Sequence, residues 1–304
     1  MKQNSAYHIP VMLEPCLEGL NIRPDGVYVD ATFGGGGHSR AIFDRLDGGV
    51  LISFDQDPDA KENAWDAENF HFVAANFAYI KNHLRLLGIK EVDGILADLG
   101  VSSHQFDVTD RGFSIRGDAP LDMRMNQAGE QTAERVVNDY PEEELTRVFR
   151  SYGEIPNVGK LVRSIVSARR SGKLKTTGQL VEIAESCAPK RKENKYLAQV
   201  FQAVRIEVNN EMEVLEAFLE STETVLKPGG RLVVMSYHSL EDRMVKNYMK
   251  RGSVSGEITK DFYGNIQKPF TEVVRRPIVP TNAEIEQNSR ARSAKLRIAE
   301  RNGE

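Results

Sequence analysis

The chain has few cysteines and no long apolar run, and these absences narrow the classes of protein to which it can belong. Its two cysteines, Cys16 and Cys187, are far apart and lack the spacing of metal ligands. We therefore expect neither a disulfide framework nor a metal site. No apolar run approaches the ~20 residues that cross a bilayer, and the N-terminus lacks the apolar core of a signal peptide. These features predict a cytoplasmic protein without a membrane partner.

The glycine-rich segment at residues 27–39 lacks the third glycine of a dinucleotide-binding motif. Residues 27–39 predict a buried strand, a glycine loop at Gly34–Gly37 and a helix with Ser39 as its N-cap. A dinucleotide fingerprint, G-x-G-x-x-G, would place its last glycine at Ser39 or at Arg40. The pattern therefore disfavours NAD without excluding it.

Acidic residues at two strand ends favour a different nucleoside cofactor, S-adenosylmethionine. Asp30 ends the first strand, where a carboxylate could face the ammonium group of a bound amino acid. Asp55 ends the second apolar run, where a carboxylate accepts hydrogen bonds from ribose hydroxyls. The alternative is a glycine-rich turn after a core strand, with a solvated aspartate beyond it.

Strands alternate with helices through the first hundred residues, which predicts a parallel, doubly wound sheet. Ligands bind such sheets at the carboxyl ends of the strands, where Phe77 would either cover an adenine ring or belong to the core. A helix is expected after Asp57–Pro58, and a turn at Leu226–Gly230. Three later strands are predicted, the second of them antiparallel at the sheet edge: Arg231–Ser236, Phe270–Val274 and Lys295–Ile298.

The middle of the chain interrupts this alternation with helical periodicity. From Thr132 to Glu220 apolar residues recur every three or four positions, and no strand intervenes for about a hundred residues. We therefore predict a discontinuous α/β domain, 1–106 and 209–304, with an inserted helical substrate-recognition subdomain at 107–208. Within it, residues 160–205 carry eleven basic and three acidic side chains although the whole chain has a net charge of −4. Such a surface is typical of RNA or DNA contact, the alternative being a solvated helix face.

Several sequence blocks together resemble the bacterial 16S ribosomal RNA cytosine-N4 methyltransferases, and the resemblance runs nearly end to end. The blocks are Asp30-Ala-Thr-Phe-Gly-Gly-Gly-Gly-His-Ser39, Asp98-Leu-Gly-Val-Ser-Ser103, Arg111-Gly-Phe-Ser114, Pro120-Leu-Asp-Met-Arg-Met125, Leu226-Lys-Pro-Gly-Gly230 and Ser236-Tyr-His-Ser-Leu-Glu-Asp-Arg243. The resemblance implies a class I methyltransferase fold, S-adenosylmethionine as cofactor, and methyl transfer to the N4 amine of a decoding-region cytosine in the small ribosomal subunit. One departure is His104, where other members can have proline.

The resemblance and the chemistry together give a set of candidate residues. The family's cofactor contacts fall on Gly36, Gly37, His38, Asp55, Phe77, Asp98 and Gln105. The N4 lone pair is delocalised into the ring, so an acceptor for the amine would assist attack. Asp98 is the first candidate for this acceptor, with backbone carbonyls as the alternative. A flipped base needs stacking partners and a contacting surface, for which the candidates are Phe106, Arg111, Phe113, Arg124, Arg169, Arg170, Lys190, Arg191, Tyr237 and, as a polar partner, His238.

Three other functions compete with this interpretation. The missing third glycine argues against an NAD-dependent oxidoreductase. A DNA amino-methyltransferase typically has an Asn/Asp/Ser-Pro-Pro-aromatic motif, which is absent at Asp98–Val101. A catalytically silent ribosome-binding module is the third. Tyr237 and His238 have a purely structural alternative, as a sheet-capping tyrosine and a loop-bonded histidine. The oligomeric state, monomer or homodimer, is left open.

Overall fold

The computed structural model describes residues 10–260, 262–264 and 267–303. Contacts divide the chain into two compact units, one of residues 10–100 and 212–303 and one of residues 101–211. The second unit is six residues longer at its start and three at its end than the predicted 107–208 insertion. No helix in the described part of the chain is long and apolar enough to span a bilayer.

The first unit, which we call the sheet unit, is built on seven strands in the order β3-β2-β1-β4-β5-β7-β6. Strands β1 to β5 are parallel, and β7 is antiparallel to both of its neighbours. The strands are β1 Val27–Asp30, β2 Val50–Phe54, β3 Phe70–Val73, β4 Val92–Asp98, β5 Leu226–Ser236, β6 Phe270–Glu272 and β7 Lys295–Arg301. This is a Rossmann-like, doubly wound α/β fold, and the parallel, doubly wound sheet predicted from the sequence is confirmed.

Both faces of the sheet are covered, which explains why its strands are apolar on both sides. Val29, Ile52 and Ile95 belong to a core that includes residues of α3 and α10, whereas Tyr28 and Leu51 belong to the opposite core with α1 and α2. The helices in or entering this unit are α1 Leu13–Leu20, α2 Gly37–Phe43, α3 Ile80–Leu86, α10 Glu211–Val225, α11 Ser239–Arg251 and α12 Asn282–Gln287.

The second unit, which we call the helical unit, buries one apolar core between its helices. Helix α9 lies at its centre and contacts α5, α6 and α8. Its core includes Leu145, Ile165, Leu180 and Val204, all fully buried. The helices are α4 Ser103–Asp107, α5 Ala133–Asp139, α6 Glu142–Ser151, α7 Val158–Ser171, α8 Thr177–Cys187 and α9 Glu193–Asn209. The predicted run from Tyr196 to Glu220 is instead two helices, because Asn210 takes a left-handed conformation (φ 49°) that ends α9.

Other local predictions need correction. Helix α2 begins at Gly37 with Gly36 as its N-cap, and Ser39 lies buried within the helix. The segment after Asp57 forms only a 3₁₀ helix, Pro58–Asn63. Residues 226–230, predicted as a turn, instead form the start of β5. The pairing of β5 with β4 shifts register there, between Val92 and Gly94 of β4. The antiparallel edge strand is confirmed as β6, but β7 is longer than predicted and lies inside the sheet.

Candidate active site

The candidate site lies at the carboxyl ends of β1, β2 and β4, where the sheet order reverses. Here β1 connects to α2 and β2, whereas β4 lies on its other side and continues into β5. In register, Asp30 pairs with Ser53 of β2 and with Leu96 of β4. The strand ends therefore bring residues from three distant parts of the sequence to one edge.

A buried polar network fixes the loop that follows β1. Ser39 Oγ donates to Asp30 Oδ2 at 2.6 Å and lies 2.7 Å from Ser53 Oγ. Thr32 N donates to Asp30 Oδ1 at 3.0 Å, and Thr32 Oγ1 accepts from Asp98 N at 2.7 Å. Asp30 is fully buried, and burial raises its pKa. Its carboxylate therefore holds the loop from inside, and this conformation does not expose it to a ligand's ammonium group.

Asp55 anchors the glycine loop from the end of β2. Its two carboxylate oxygens accept hydrogen bonds at 2.8 Å, Oδ2 from Gly34 N and Oδ1 from Asp57 N. Burial raises the pKa of Asp55 to about 6, an effect that these two hydrogen bonds oppose. Each oxygen keeps acceptor capacity beyond one bond. The side chain can therefore both shape the loop and accept a hydroxyl.

Two loop glycines are required by their surroundings. Gly36 has φ +76°, and a Cβ there would lie 3.0 Å from the Phe33 ring. A Cβ on Gly37 would lie 2.4 Å from Pro10 Cγ, whereas a Cβ on Gly35 would meet nothing within 4 Å. The loop is thus packed tightly on one side and open at Gly35. That form lets backbone N–H groups approach a ligand.

Asp98 lies at the end of β4 between a tyrosine and a histidine. Tyr237 donates its hydroxyl to Asp98 Oδ1 at 2.8 Å, and His38 Nδ1 lies 3.8 Å from Asp98 Oδ2. Burial raises the pKa of Asp98 to about 6, against the opposing effects of His38 and the Tyr237 hydrogen bond. Burial and the adjacent Asp98 raise the pKa of Tyr237 far above its usual value, so its hydroxyl is a donor at neutral pH. These three predicted site residues are brought together.

His238 has a structural role that the sequence did not indicate. Its Nδ1 accepts from Glu241 N at 3.4 Å, and Glu241 Oε2 accepts from the backbone N of Tyr237 at 2.9 Å and of His238 at 3.3 Å. The pair forms a capping box at the start of α11. Because Nδ1 is an acceptor, the proton is on Nε2, which lies 3.1 Å from Glu241 Oε1. The structure therefore gives this imidazole a capping role, and its part as polar partner of a flipped base stays a prediction.

Phe77 lies beyond the end of β3 and is half-buried. Its ring packs edge-on against Phe218 of α10, with 5.1 Å between ring centroids. It is one of the partly buried side chains packed against the sheet core. Both of its predicted roles, core aromatic and cover for an adenine, are compatible with this position.

In the helical unit, Gln105 and Phe106 lie on α4. Gln105 is buried and closes a capping box, in which its Oε1 accepts from Ser102 N at 3.1 Å and its own N donates to Ser102 Oγ at 3.2 Å. Phe106 is 37% exposed. An apolar ring with this exposure is accessible to a partner.

Several side chains predicted to bind substrate stabilise the helical unit instead. Phe113 is buried in its core. Arg111 is also buried, and its guanidinium donates to the carbonyls of Arg124 at 2.9 Å and Met125 at 3.1 Å. Arg124 forms a two-point ion pair with Asp122 at 2.6 and 2.9 Å. Because these groups already have partners inside the protein, this conformation does not present them to an extruded base.

The basic run separates into internal and exposed members. Arg169 donates to Val137 O at 3.0 Å and to Tyr140 O at 2.7 Å, and so caps the end of α5. Arg205 pairs with Glu211 at 2.8 Å. The exposed basic residues of the run are Lys160, Arg163, Arg170, Lys173, Lys175, Lys190, Arg191, Lys192 and Lys195.

Sequence reasoning missed the groups that hold the site together. Ser39, Ser53 and Thr32 were not predicted as site residues, yet they join the strand ends through hydrogen bonds. Glu241 was also missed, although its position three residues after His238 matches a capping-box spacing. That spacing was a usable signal, whereas the serine contacts depend on strand pairing that the sequence does not reveal.

Comparison with known proteins identifies relatives along the whole chain. The model of the MraW methylase family matches residues 5–302. Proteins named ribosomal RNA small subunit methyltransferase H are 56% identical over 302 residues in Flavobacterium johnsoniae and 54% identical over 301 residues in Bacteroides thetaiotaomicron. The first alignment covers 99% of this chain and 100% of the relative, and the second covers 99% of each.

Solved structures show a weaker likeness. A rRNA methylase from Streptococcus thermophilus has a TM-score of 0.42 at 13% identity, covering 96% of this chain and 94% of that one. A putative methyltransferase from Streptococcus mutans in complex with SAH has a TM-score of 0.43 at 12% identity, covering 95% and 97%. Likeness at this level carries no argument about the site.

Proposed function

We infer that this chain, which belongs to the MraW methylase family, transfers a methyl group from S-adenosylmethionine to the N4 amine of a cytosine in the decoding region of 16S rRNA. The observation that carries the proposal is the match of more than half of all positions, end to end, to a relative named ribosomal RNA small subunit methyltransferase H. None of the relatives reported above supports the competing proposal of an NAD-dependent oxidoreductase. The chain is an enzyme, and S-adenosylmethionine is its cofactor.

The sheet unit has the features that this cofactor requires. Gly36 and Gly37 leave no room for side chains of their own on the packed side of the loop, while the open side at Gly35 admits a ligand. Asp55 would accept a ribose hydroxyl, and Phe77 would lie against the adenine. Gln105 is proposed as a cofactor contact on the family resemblance alone. When bound, the cofactor supplies an electrophilic methyl group on a sulfonium.

Asp98 is the group we assign to the cytosine amine. Its carboxylate is 22% exposed, and Tyr237 holds one of its oxygens in place. An acceptor at this position hydrogen-bonds an N4 hydrogen and draws the nitrogen lone pair toward the methyl carbon. Alignment of nitrogen, carbon and sulfur in a line contributes more, because orientation supplies ~7–11 kcal/mol of such barriers. Tyr237 is assigned to fixing the carboxylate that sets this alignment.

The helical unit is proposed as the substrate-recognition subdomain. Arg170, Lys190 and Arg191 are exposed and belong to a run with a net charge of +8. Such side chains attract RNA phosphates. The exposed ring of Phe106 is suited to stacking on an unstacked base.

The remaining predictions follow from the substrate. An enzyme acting on the small ribosomal subunit works where that subunit is assembled and used, so we propose a cytoplasmic location. The proposal requires no metal, since an amine and a sulfonium react without one. It is compatible with a monomer or a homodimer.

The test is transfer of radiolabelled methyl to small subunits from cells that lack the enzyme, followed by nuclease digestion to identify the modified base. We expect label in N4-methylcytidine with the wild-type chain. Label in another nucleoside, or no label in any RNA, would contradict the proposal.

The proposed RNA surface is tested separately with the triple variant Arg170→Glu, Lys190→Glu and Arg191→Glu. Each phosphate contact to a single strand contributes about 0.7 to the slope of log affinity against log salt. We expect RNA affinity to fall and this slope to decrease by about 2, with S-adenosylmethionine binding unchanged. The matched control is Lys81→Glu, an exposed charge reversal on α3 of the sheet unit. An unchanged slope in the triple variant would remove this surface from recognition.

A further inference from the structure

His38 is held so that one of its two ring nitrogens must be a donor. It lies in the first turn of α2 and is buried, with 7% of its side chain exposed. Its Nε2 is 3.1 Å from the carbonyl oxygen of Val11, which can only accept. The hydrogen therefore resides on Nε2, and in the neutral imidazole Nδ1 carries a lone pair.

That lone pair faces the carboxylate assigned to the amine. His38 Nδ1 lies 3.8 Å from Asp98 Oδ2, longer than a hydrogen bond, so two acceptors oppose each other across a gap. A single proton between them would turn this repulsion into a charge-assisted hydrogen bond. The opposite oxygen, Oδ1, accepts from Tyr237, whereas Oδ2 is the oxygen that faces His38.

The other titratable groups around Asp98 are buried or have partners of their own. Asp30 is buried and held by Ser39 and Thr32. Glu241 accepts from the backbone nitrogen of Tyr237 after β5, and its charge raises the pKa of Asp98. The Cys16 thiol is buried, and burial raises its pKa well above the usual range. In this geometry His38 Nδ1 is the ring nitrogen that faces Asp98 Oδ2.

We propose that His38 acts through Asp98 as a positioning residue that accepts the proton released by the cytosine amine. This inference rests on the proposed function. As the N4–methyl bond forms, the methyl–sulfur bond breaks and its electron pair remains on sulfur, leaving a positive charge on N4. The N4 proton then passes to Asp98 Oδ2 and on to His38 Nδ1. Asp98 is thereby restored as a carboxylate, and the product pair is an imidazolium beside it.

The variant that isolates this role is His38→Gln. The glutamine amide retains a donor for the Val11 carbonyl but has no titratable nitrogen. Because His38 is also a predicted cofactor contact, S-adenosylhomocysteine affinity is measured by calorimetry and the methylation rate is measured at saturating S-adenosylmethionine. The single-turnover methylation rate should fall by about 100-fold, the lower end of the range for acid–base groups. The acid limb of its pH profile should move to higher pH, because the imidazole that lowers the pKa of Asp98 is gone. His71→Gln on β3 is the matched control.

A second measurement needs no substitution at His38. Nitrogen-15 NMR of the histidine-labelled wild-type protein should show His38 with a protonated Nε2 and a bare Nδ1, the tautomer that the Val11 carbonyl requires.

The outcomes separate this inference from the function on which it rests. If wild-type protein methylates no RNA, the proposed function fails. If wild-type protein is active and His38→Gln keeps its rate and pH profile, His38 is only structural. Loss of S-adenosylhomocysteine binding in that variant would assign His38 to the cofactor instead. A protonated Nδ1 with a bare Nε2 in the spectra would overturn the tautomer and the proposal together.

Discussion

Replacing Asp98 by asparagine tests whether the buried, ionised carboxylate of Asp98 lowers the stability of the folded protein. The side chain is largely removed from water, and burial raises the pKa of its carboxyl from the ordinary 3.8 to about 6. Because the folded-state pKa lies above the unfolded-state value, the carboxylate opposes folding at pH values above 6. Below about pH 4 both states are protonated, and this destabilisation disappears.

The size of the effect follows from the pKa difference. Each pKa unit corresponds to about 1.4 kcal/mol, so ionised Asp98 destabilises the ligand-free protein by up to about 3 kcal/mol. The asparagine isostere can keep Oδ1 as acceptor for Tyr237 and turn its amide toward His38 Nδ1, which accepts. Repulsion is thereby replaced by attraction. We expect Asp98→Asn to be more stable than wild type by about 1–3 kcal/mol at pH 8 while methyl transfer is lost.

The assay is thermal unfolding of both proteins without cofactor between pH 4 and pH 8, followed by circular dichroism. In a chain of this size 1 kcal/mol corresponds to about 2–4 °C in Tm. The two curves should converge toward pH 4 and separate as the pH rises through 6. A variant less stable than wild type at pH 8, or a gap that does not change with pH, would refute the reasoning. Near-normal methyl transfer by this variant would remove Asp98 from the mechanism.

Two further predictions concern the glycine loop and the aromatic residues of the helical unit. Gly37→Ala should lower the affinity for S-adenosylhomocysteine at least tenfold in calorimetry, because its Cβ would lie 2.4 Å from Pro10 Cγ. Gly35→Ala should leave Tm unchanged, because its Cβ would meet nothing within 4 Å. Phe113→Ala should destabilise the protein by about 3–5 kcal/mol in urea unfolding because its ring is buried. Phe106→Ala should change stability little and weaken RNA binding; equal stability losses for the two phenylalanines would contradict their different burial.

The sequence predicted the features of the sheet that follow from local pattern. Alternating apolar strands and helices indicated the parallel sheet, and Asp98 was placed at a strand end because an apolar run stops there. It did not predict that β7 enters between β5 and β6, since strand order is decided by pairing between residues far apart in the chain. The prediction of an α-helix after Asp57 was also wrong, and there too a contact between residues apart in the chain is involved. A proline-initiated 3₁₀ turn there is followed by Trp65, whose ring stacks on Phe70 of β3 at 3.9 Å.

The sequence predicted which residues lie at the site better than it predicted the hydrogen bonds between them. Asp98, Tyr237 and His38 were each expected at the site, but not that Tyr237 donates to Asp98 or that His38 Nδ1 faces it. Ser39 shows why. A serine at the start of a helix usually caps it, yet here the helix begins two residues earlier and the hydroxyl lies between Asp30 and Ser53. Only the packed sheet makes that burial favourable.

The basic run shows how the same residue type serves opposite purposes that a charge count cannot separate. A guanidinium beside helix-end carbonyls, as in Arg169, satisfies groups that water cannot reach and is unavailable to a phosphate. Arg205 is neutralised by Glu211. The charge left for RNA therefore lies at the end of α7, in the connection to α8, and around the start of α9, where Arg170 and Arg191 are exposed. Because the helical core holds each of these segments in place, a substitution that loosens that core should weaken RNA binding without removing a single charge.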